Sequence, residues 1–433
     1  MKAKLMIVVC MVLYCIPVWA QRNCGQQAMI RYLESQHPGT LQQIESSRQN
    51  AFLHLSESAR ADRNLLKTTE ETIIPVIFHI VLDSSQIKTM GGIEGIESRI
   101  NTQMQVINDD FNGRNADKDK VPSVWAPLFA NIGISFGLAH VSPSGKYTPG
   151  YEIRYAAKGT SFDAENGAKA AKFQASGGLD GWDNTKYLNI WILNLKITGS
   201  TALGITAPPG FSFTKPELGI ALNYLSFGSR VSPSQVFIKN FDLGRTLTHE
   251  LGHYFYLWHT WGDDEGTCAR DDGFSDTPLQ ADNSSGTPTF PRFDACTPSG
   301  NGIMFMNYMD YTDDISLYMF TLQQGAMVRS QLAPGGLSYS LSQNSYLVNN
   351  PPDTPTNKVT IGPNPTRDYL YLIFDPISNP LSKVIVMNMW GQKVIETNEQ
   401  YITRIDLQSF PKGIYFVHCY FKNEIVKQKI SLQ

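Results

Sequence analysis

The stretch Thr248-His-Glu-Leu-Gly-His-Tyr-Phe-Tyr-Leu-Trp-His-Thr260 gathers side chains suited to metal-ion chemistry. Residues four apart share one face of a helix, so His249 and His253 aim two imidazoles at a single point. Glu250 is rotated by about 100°. It can reach a water at that point without binding the ion itself. His259 lies beyond the reach of the same helical face, so the chain must turn sharply to deliver it. Three imidazoles and an open position form a catalytic zinc arrangement, whereas structural zinc sites are closed by four protein ligands. Zinc would lower the pKa of its water to about 7 and polarise a carbonyl. Glu250 would accept the proton and pass it to a leaving amine. A bare His-Glu-x-x-His pair also occurs on ordinary helix surfaces; the third histidine separates the two readings.

The elements around this stretch alternate. Ile73-Ile-Pro-Val-Ile-Phe-His-Ile-Val81 is an apolar, β-branched strand. Ile96, Ile100, Met104, Ile107 and Phe111 mark a helix that Asn112-Gly113 stops. Further strands are expected over 134–141, 187–195 and 219–225, and the histidine helix follows Asp242-Leu-Gly244. Such an order describes an α/β (α+β) domain with a twisted mixed sheet and an active-site helix below it. His79 and His140 read as core histidines satisfied by backbone. Residues 200–216, rich in Gly and Pro, read as a loop, and polar loops dominate 262–302.

The chain has 433 residues, 42% of them hydrophobic, and a net charge of −3. That length predicts two or three domains, and that charge gives no reason to invoke nucleic acid. Lys2, Lys4 and the apolar run Leu5–Val18 before Ala20 read as a signal peptide over 1–20, with no transmembrane segment after it. Residues 21–65 read as a propeptide of two helical pieces split at Pro38-Gly39, ending in a polar stretch with Arg60 and Arg63. The catalytic domain then covers 66–333. A Gly/Ser/Asn-rich linker is expected over 334–357, and a small all-β sandwich over 358–433. Cys419 reads as a buried free thiol there. Export leaves Cys268 and Cys296 free to pair.

Three stretches in order carry a resemblance. His249 to His259 resembles the metzincin signature. Asn307-Tyr-Met-Asp-Tyr311 resembles the Met-turn of the pappalysin family, and Asp271-Asp-Gly-Phe-Ser-Asp-Thr-Pro278 its intervening loop. The resemblance spans roughly residues 70–332 and implies a zinc endopeptidase acting on proteins or peptides. It implies zinc on His249, His253 and His259 with Glu250 as general base. Met309 would form an apolar floor under the ligands, and Tyr311 would hydrogen-bond the reacting carbonyl. Asp272 and Thr277 would bind Ca²⁺, and a Cys268–Cys296 disulfide would hold the loop. A preference for Arg or Lys after the scissile bond would fall to Asp313 or Asp314. Cys24 could fill the fourth zinc position as a thiolate in a latent zymogen. Removal of residues 21 to about 60, by cutting at Ala59-Arg60 or Asp62-Arg63, would then activate the chain.

One position departs from that pattern. The signature's glycine is Tyr256 here, and a tyrosine in the left-handed region costs on the order of 1 kcal/mol or more. Either metal binding and packing offset that cost, or the helix end is remodelled and His259 ligates by a different path or binds weakly. The second outcome would leave a zinc-binding surface or adhesion protein with weak or lost activity. At the other end, Gly362-Pro-Asn-Pro365, Asn388-Met-Trp-Gly-Gln392 and Phe410-Pro-Lys-Gly-Ile-Tyr-Phe416 resemble the sorting domain of the Bacteroidetes type IX secretion system. That resemblance implies engagement by the secretion machinery and a secreted or cell-surface location across both membranes.

Overall fold

The computed structural model describes residues 24–61, 72–198, 200–210, 217–264, 266–349, 360–373, 381–398, 402, 404–421 and 425–433. The leader and the Asp62-Arg63 bond lie outside them. The chain forms two compact units, Met1–Asn349 and Asn350–Gln433.

The first unit begins with α1 (Gln26–Gln36) and α2 (Thr40–Ala61), split where Pro38-Gly39 stands. It continues with β1 (Thr72–Leu82), α3 (Ser84–Thr89), α4 (Gly92–Phe111), β2 (Ile134–Leu138), β3 (Tyr151–Tyr155) and β4 (Phe162–Asp163). Then come β5 (Leu188–Leu193), β6 (Leu195–Ile197), β7 (Ser200–Thr201), β8 (Gly204–Ala207), β9 (Gly219–Asn223), α5 (Arg245–Tyr254), α6 (Leu322–Leu332) and α7 (Tyr339–Ser342). The main sheet runs β2-β1-β5-β9-β8, with β3 also on β1. All its pairings are parallel except β8 on β9. From Ile74 to Leu82 β1 is buried on both faces, as its largely apolar run requires in a parallel sheet. α4 buries Ile96, Ile100, Met104, Ile107 and Phe111 along one stripe. The expected mixed sheet with an active-site helix is the observed architecture.

Three local expectations change. Residues 204–207 are a strand and not a loop, because β9 supplies the pairing that Gly and Pro composition conceals. His79 is satisfied by side chains and not by backbone: Glu152 Oε1 lies 2.7 Å from Nδ1 and Asn189 Oδ1 2.8 Å from Nε2. His140 does meet backbone, at Thr148 O. The stretch 334–349 belongs to the first unit. Leu341 and Leu347 are buried, and Leu347 O accepts from His140 N, anchors that a Ser/Gly-rich composition does not reveal.

The second unit holds β10 (Thr360–Gly362), β11 (Tyr369–Ile373), β12 (Leu381–Asn388), β13 (Lys393–Thr397), β14 (Arg404–Asp406), β15 (Gly413–Phe421) and β16 (Ile425–Leu432). Two antiparallel sheets, β10-β11-β14 and β13-β12-β15-β16, share one core. Ile361, Leu370 and Ile405 from the first sheet meet Val384, Val417 and Cys419 from the second, which makes a sandwich. Cys419 is a buried free thiol.

Candidate active site

All ten residues of α5 are buried. Its start is fixed from a distance: Asp314 Oδ2 accepts from Leu243 N at 2.9 Å and Arg245 N at 3.3 Å. A carboxylate at a helix N-terminus meets unpaired N–H groups and the positive end of the dipole. Its end carries the positive-φ turn that its sequence disfavours. Tyr256 has φ 67°. Tyr256 N donates to His253 O, and Leu257 N to Gly252 O. Those two bonds define a Schellman cap, which ordinarily holds glycine at this position. The strain persists because the ring is buried and its hydroxyl donates to Pro209 O. The helix end is therefore not remodelled, and the chain returns His259 to the face of His249 and His253.

The candidate ligand atoms of Cys24, His249, His253 and His259 lie within 4.8 Å of one another, all buried. Each imidazole is oriented through Nδ1. His249 Nδ1 is 2.7 Å from Tyr308 O, and His253 Nδ1 is 2.9 Å from Leu257 O. His259 Nδ1 is 2.8 Å from Asp263 Oδ1. Carbonyl and carboxylate oxygens only accept, which assigns the proton to each Nδ1. Burial and the neighbouring His259 keep His253 neutral, its pKa pushed down to about 3. Nε2 of His253, left without a proton, then lies 3.0 Å from Nε2 of His259. A cation reconciles that arrangement, and Nδ1-oriented imidazoles are how proteins present nitrogen to zinc. The donor set fits the ion.

Glu250 is buried, and its Oε2 accepts from Thr206 Oγ1 at 2.6 Å. Gly204 admits it: a Cβ there would lie 2.5 Å from Glu250 Oε1. Cys24 pairs in parallel with Gly204 of β8, Gly25 N donates to Gly204 O, and Gln26 Oε1 accepts from Thr206 N. The segment thus makes an isolated β-bridge along the edge of β8 and covers it. Burial first, and the Glu250 charge second, raise the Cys24 thiol pKa well above its usual value. Tyr311 approaches the same point, its ring 4.8 Å from that of His259 and hydrogen-bonded to Cys24. Met309 is fully buried with its thioether against Gly252 of α5, beneath the histidines.

Several contributors were not visible in sequence. Asp263 holds His259 from four residues on and also takes Gln27 Nε2. Trp261 stacks on His259 at 4.3 Å. Arg245 reaches Asp110, Asp117 and the Tyr308 hydroxyl, while Thr248 Oγ1 donates to Asp110. This network fixes the backbone of Tyr308, whose carbonyl orients His249. A histidine with a carboxylate four residues later was the one available local signal, for Asp263.

The long loop 266–302 is closed by the Cys268–Cys296 disulfide. Within it Asp272 is fully buried, its Oδ1 accepting from Thr277 Oγ1 at 2.6 Å and Phe274 N at 3.2 Å. Burial pushes its carboxyl up to about 7. Asp313 is buried and Asp314 fully so, behind the start of α5.

Residues 178–333 match a peptidase family model described as pregnancy-associated plasma protein-A. Residues 360–433 match a secretion system C-terminal sorting domain. Tannerella forsythia mature mirolysin, solved with a cleaved peptide, is 35% identical with a TM-score of 0.59. That likeness covers 65% of this chain and 100% of that one. Tannerella forsythia promirolysin is 32% identical with a TM-score of 0.64, covering 75% and 98%. An extracellular metalloprotease of the fungus Coccidioides posadasii is 37% identical over 132 residues, which are 26% of this chain and 46% of its own length. The chain spans about half the length, or less, of most such fungal relatives.

Proposed function

The chain belongs to the pappalysin family of metallopeptidases and carries a secretion sorting domain that directs its export; from that premise we propose that it is a zinc endopeptidase made in a latent form. The observation that carries this reading is the convergence of Cys24, His249, His253 and His259, their candidate ligand atoms within 4.8 Å of one another, beside a buried carboxylate. His249, His253 and His259 would hold the ion. Zinc supplies there the Lewis acidity that polarises a peptide carbonyl and makes water a usable nucleophile near neutral pH. Glu250 takes a proton from the attacking water at Oε1 or Oε2 and delivers it to the departing amine. Thr206 holds that carboxylate in place, and Asp263, Leu257 O and Tyr308 O hold the imidazoles. Tyr311 donates its phenol proton to the carbonyl oxygen as charge develops there.

In the latent form Cys24 stands at the position a substrate would occupy, and α1 and α2 form the propeptide. Cutting at Ala59-Arg60 or Asp62-Arg63 releases them. Asp313 and Asp314 supply negative charge for a preference for Arg or Lys after the scissile bond. Asp314 is fully buried and its Oδ2 accepts from two backbone N–H groups at the start of α5, so its charge would act on such a residue only at a distance.

The discriminating assay is hydrolysis of a quenched arginine-containing peptide by the processed protein, before and after zinc chelation. Hydrolysis that chelation abolishes and zinc restores is expected. A zinc-loaded, processed protein that cuts nothing would leave a zinc-binding surface protein as the reading.

Calcium at Asp272 and Thr277 is the second metal proposed. Burial disfavours the anionic form of this carboxyl, and a bound cation would stabilise it. Calcium is expected to raise the Tm of the full chain by several degrees through its preferential binding to the folded loop. Asp272→Asn should lose most of that increment. An unchanged Tm in the parent protein would refute the calcium assignment.

A further inference from the structure

The edge of β8 does not end at the candidate zinc site. Beyond it lies a groove between Ala207, Pro208 and Leu218 on one side and Tyr256, Leu257 and Trp258 on the other. Ile30 of α1 and Ile44 of α2 fill it, each about nine-tenths buried or more. A residual cavity of about 30 Å³ remains between these walls, bordered by His253 and Asp263. The apolar groove is thus continuous with the ligand histidines and with the strand edge that Cys24–Gln26 occupies.

Two wall residues are aromatic. Tyr256 stands where a Schellman cap ordinarily holds glycine. Its ring is buried beside Gly210, and its hydroxyl ties the turn to Pro209 O at the end of β8. Trp258 packs against Ile30 and Ile44 and carries the Arg48 guanidinium 4.4 Å from its ring centre. The strained tyrosine does more than preserve the helix end: it closes one wall of the groove.

We infer that Tyr256 and Trp258 are specificity-determining residues, forming a subsite that takes an apolar side chain of the peptide substrate once Ile30 and Ile44 have left. This rests on the peptidase reading and on release of α1 and α2. A peptide laid along the β8 edge pairs its backbone there, as the Cys24 segment does, and places alternate side chains along the rim. Of its flanks, one passes over the groove. Burying one leucine-sized side chain there corresponds to a preference on the order of tenfold or more in kcat/KM over glycine.

The test uses the chain produced full length, processed after folding and freed of the cut segment. A peptide of fixed sequence receives Leu, Phe, Gly or Asp in turn at each of several positions on either side of the cut bond. Mass spectrometry locates the bond. The expected result is a preference of about tenfold or more for Leu and Phe at one or two positions on a single flank. It should collapse towards unity in Tyr256→Gly and in Trp258→Ala. Glycine suits the left-handed backbone at 256 but leaves the space of a buried ring empty, so Tm and zinc content are read alongside. Trp258→Ala, at a partly buried position, carries the test if Tyr256→Gly fails to fold. Absence of any apolar preference, or its survival unchanged in both variants, overturns the inference. Failure to cut any peptide overturns the peptidase reading instead.

Discussion

Glu250→Gln is expected to lower kcat for peptide hydrolysis by on the order of 10³- to 10⁴-fold while leaving zinc bound. The glutamine keeps the shape of the side chain and its hydrogen bond with Thr206 Oγ1, which lies 2.6 Å from Oε2. It removes the only function assigned to the residue, accepting a proton and giving it up again. Glu250 stands outside the cluster of candidate ligand atoms, which is made by Cys24, His249, His253 and His259. Zinc content by atomic absorption should therefore match the parent protein, and Tm should change little. An active Glu250→Gln enzyme would remove the general-base assignment. A variant that loses zinc along with activity would show that Glu250 holds the site together instead.

Cys24→Ala is expected to speed processing of the full-length chain, or to raise its activity before processing, on the order of tenfold. That corresponds to ~1.4 kcal/mol taken from the latent state. Burial and the Glu250 charge raise the Cys24 pKa and disfavour its thiolate. A zinc ion at the same point reverses that balance, because a coordinating thiol is deprotonated. The substitution then removes a bond that exists only in the covered state. The effect stops short of full activity because other contacts remain. Gln27 still reaches Asp263, Gly25 still pairs with Gly204, and Ile30 and Ile44 still fill the groove. Time courses of chain cutting and of quenched-peptide hydrolysis read the two effects separately. Identical time courses for the parent and the variant would sink the latency assignment.

The features legible in sequence are those carried by local periodicity. His249, Glu250 and His253 are spaced by the helix itself, so their geometry needed no tertiary information. The apolar run of β1 and the stripe of α4 announced a sheet and its covering helix in the same way. The alternation of 369–373, 383–389 and 413–420 announced the C-terminal sandwich. Composition misled where pairing mattered more than residue type. β8 contains Gly204 and precedes Pro208-Pro209, and only β9 makes it a strand. Its outer edge then serves as the rail on which the Cys24 segment sits.

Tyr256 marks the boundary between the two kinds of information. Its sequence position states a cost, a bulky residue where the backbone needs positive φ, and leaves two outcomes open. Packing chose between them: the ring is buried, the hydroxyl reaches Pro209 O, and the two Schellman bonds form. Long-range partners likewise needed the fold. Asp110 meets Arg245 and Thr248 across 135 and 138 residues, and Asp314 caps α5 from 69 to 71 residues away.

The sequence by itself carried the chemistry expected of this protein: the donor types, their helical spacing, and the sorting motifs of its C-terminal domain. Only the tertiary structure decided that the third histidine arrives, what orients each ring, and which side chains cover the cleft. Helical spacing is a property of neighbours, whereas those three outcomes depend on contacts between segments that the chain brings together only after it folds.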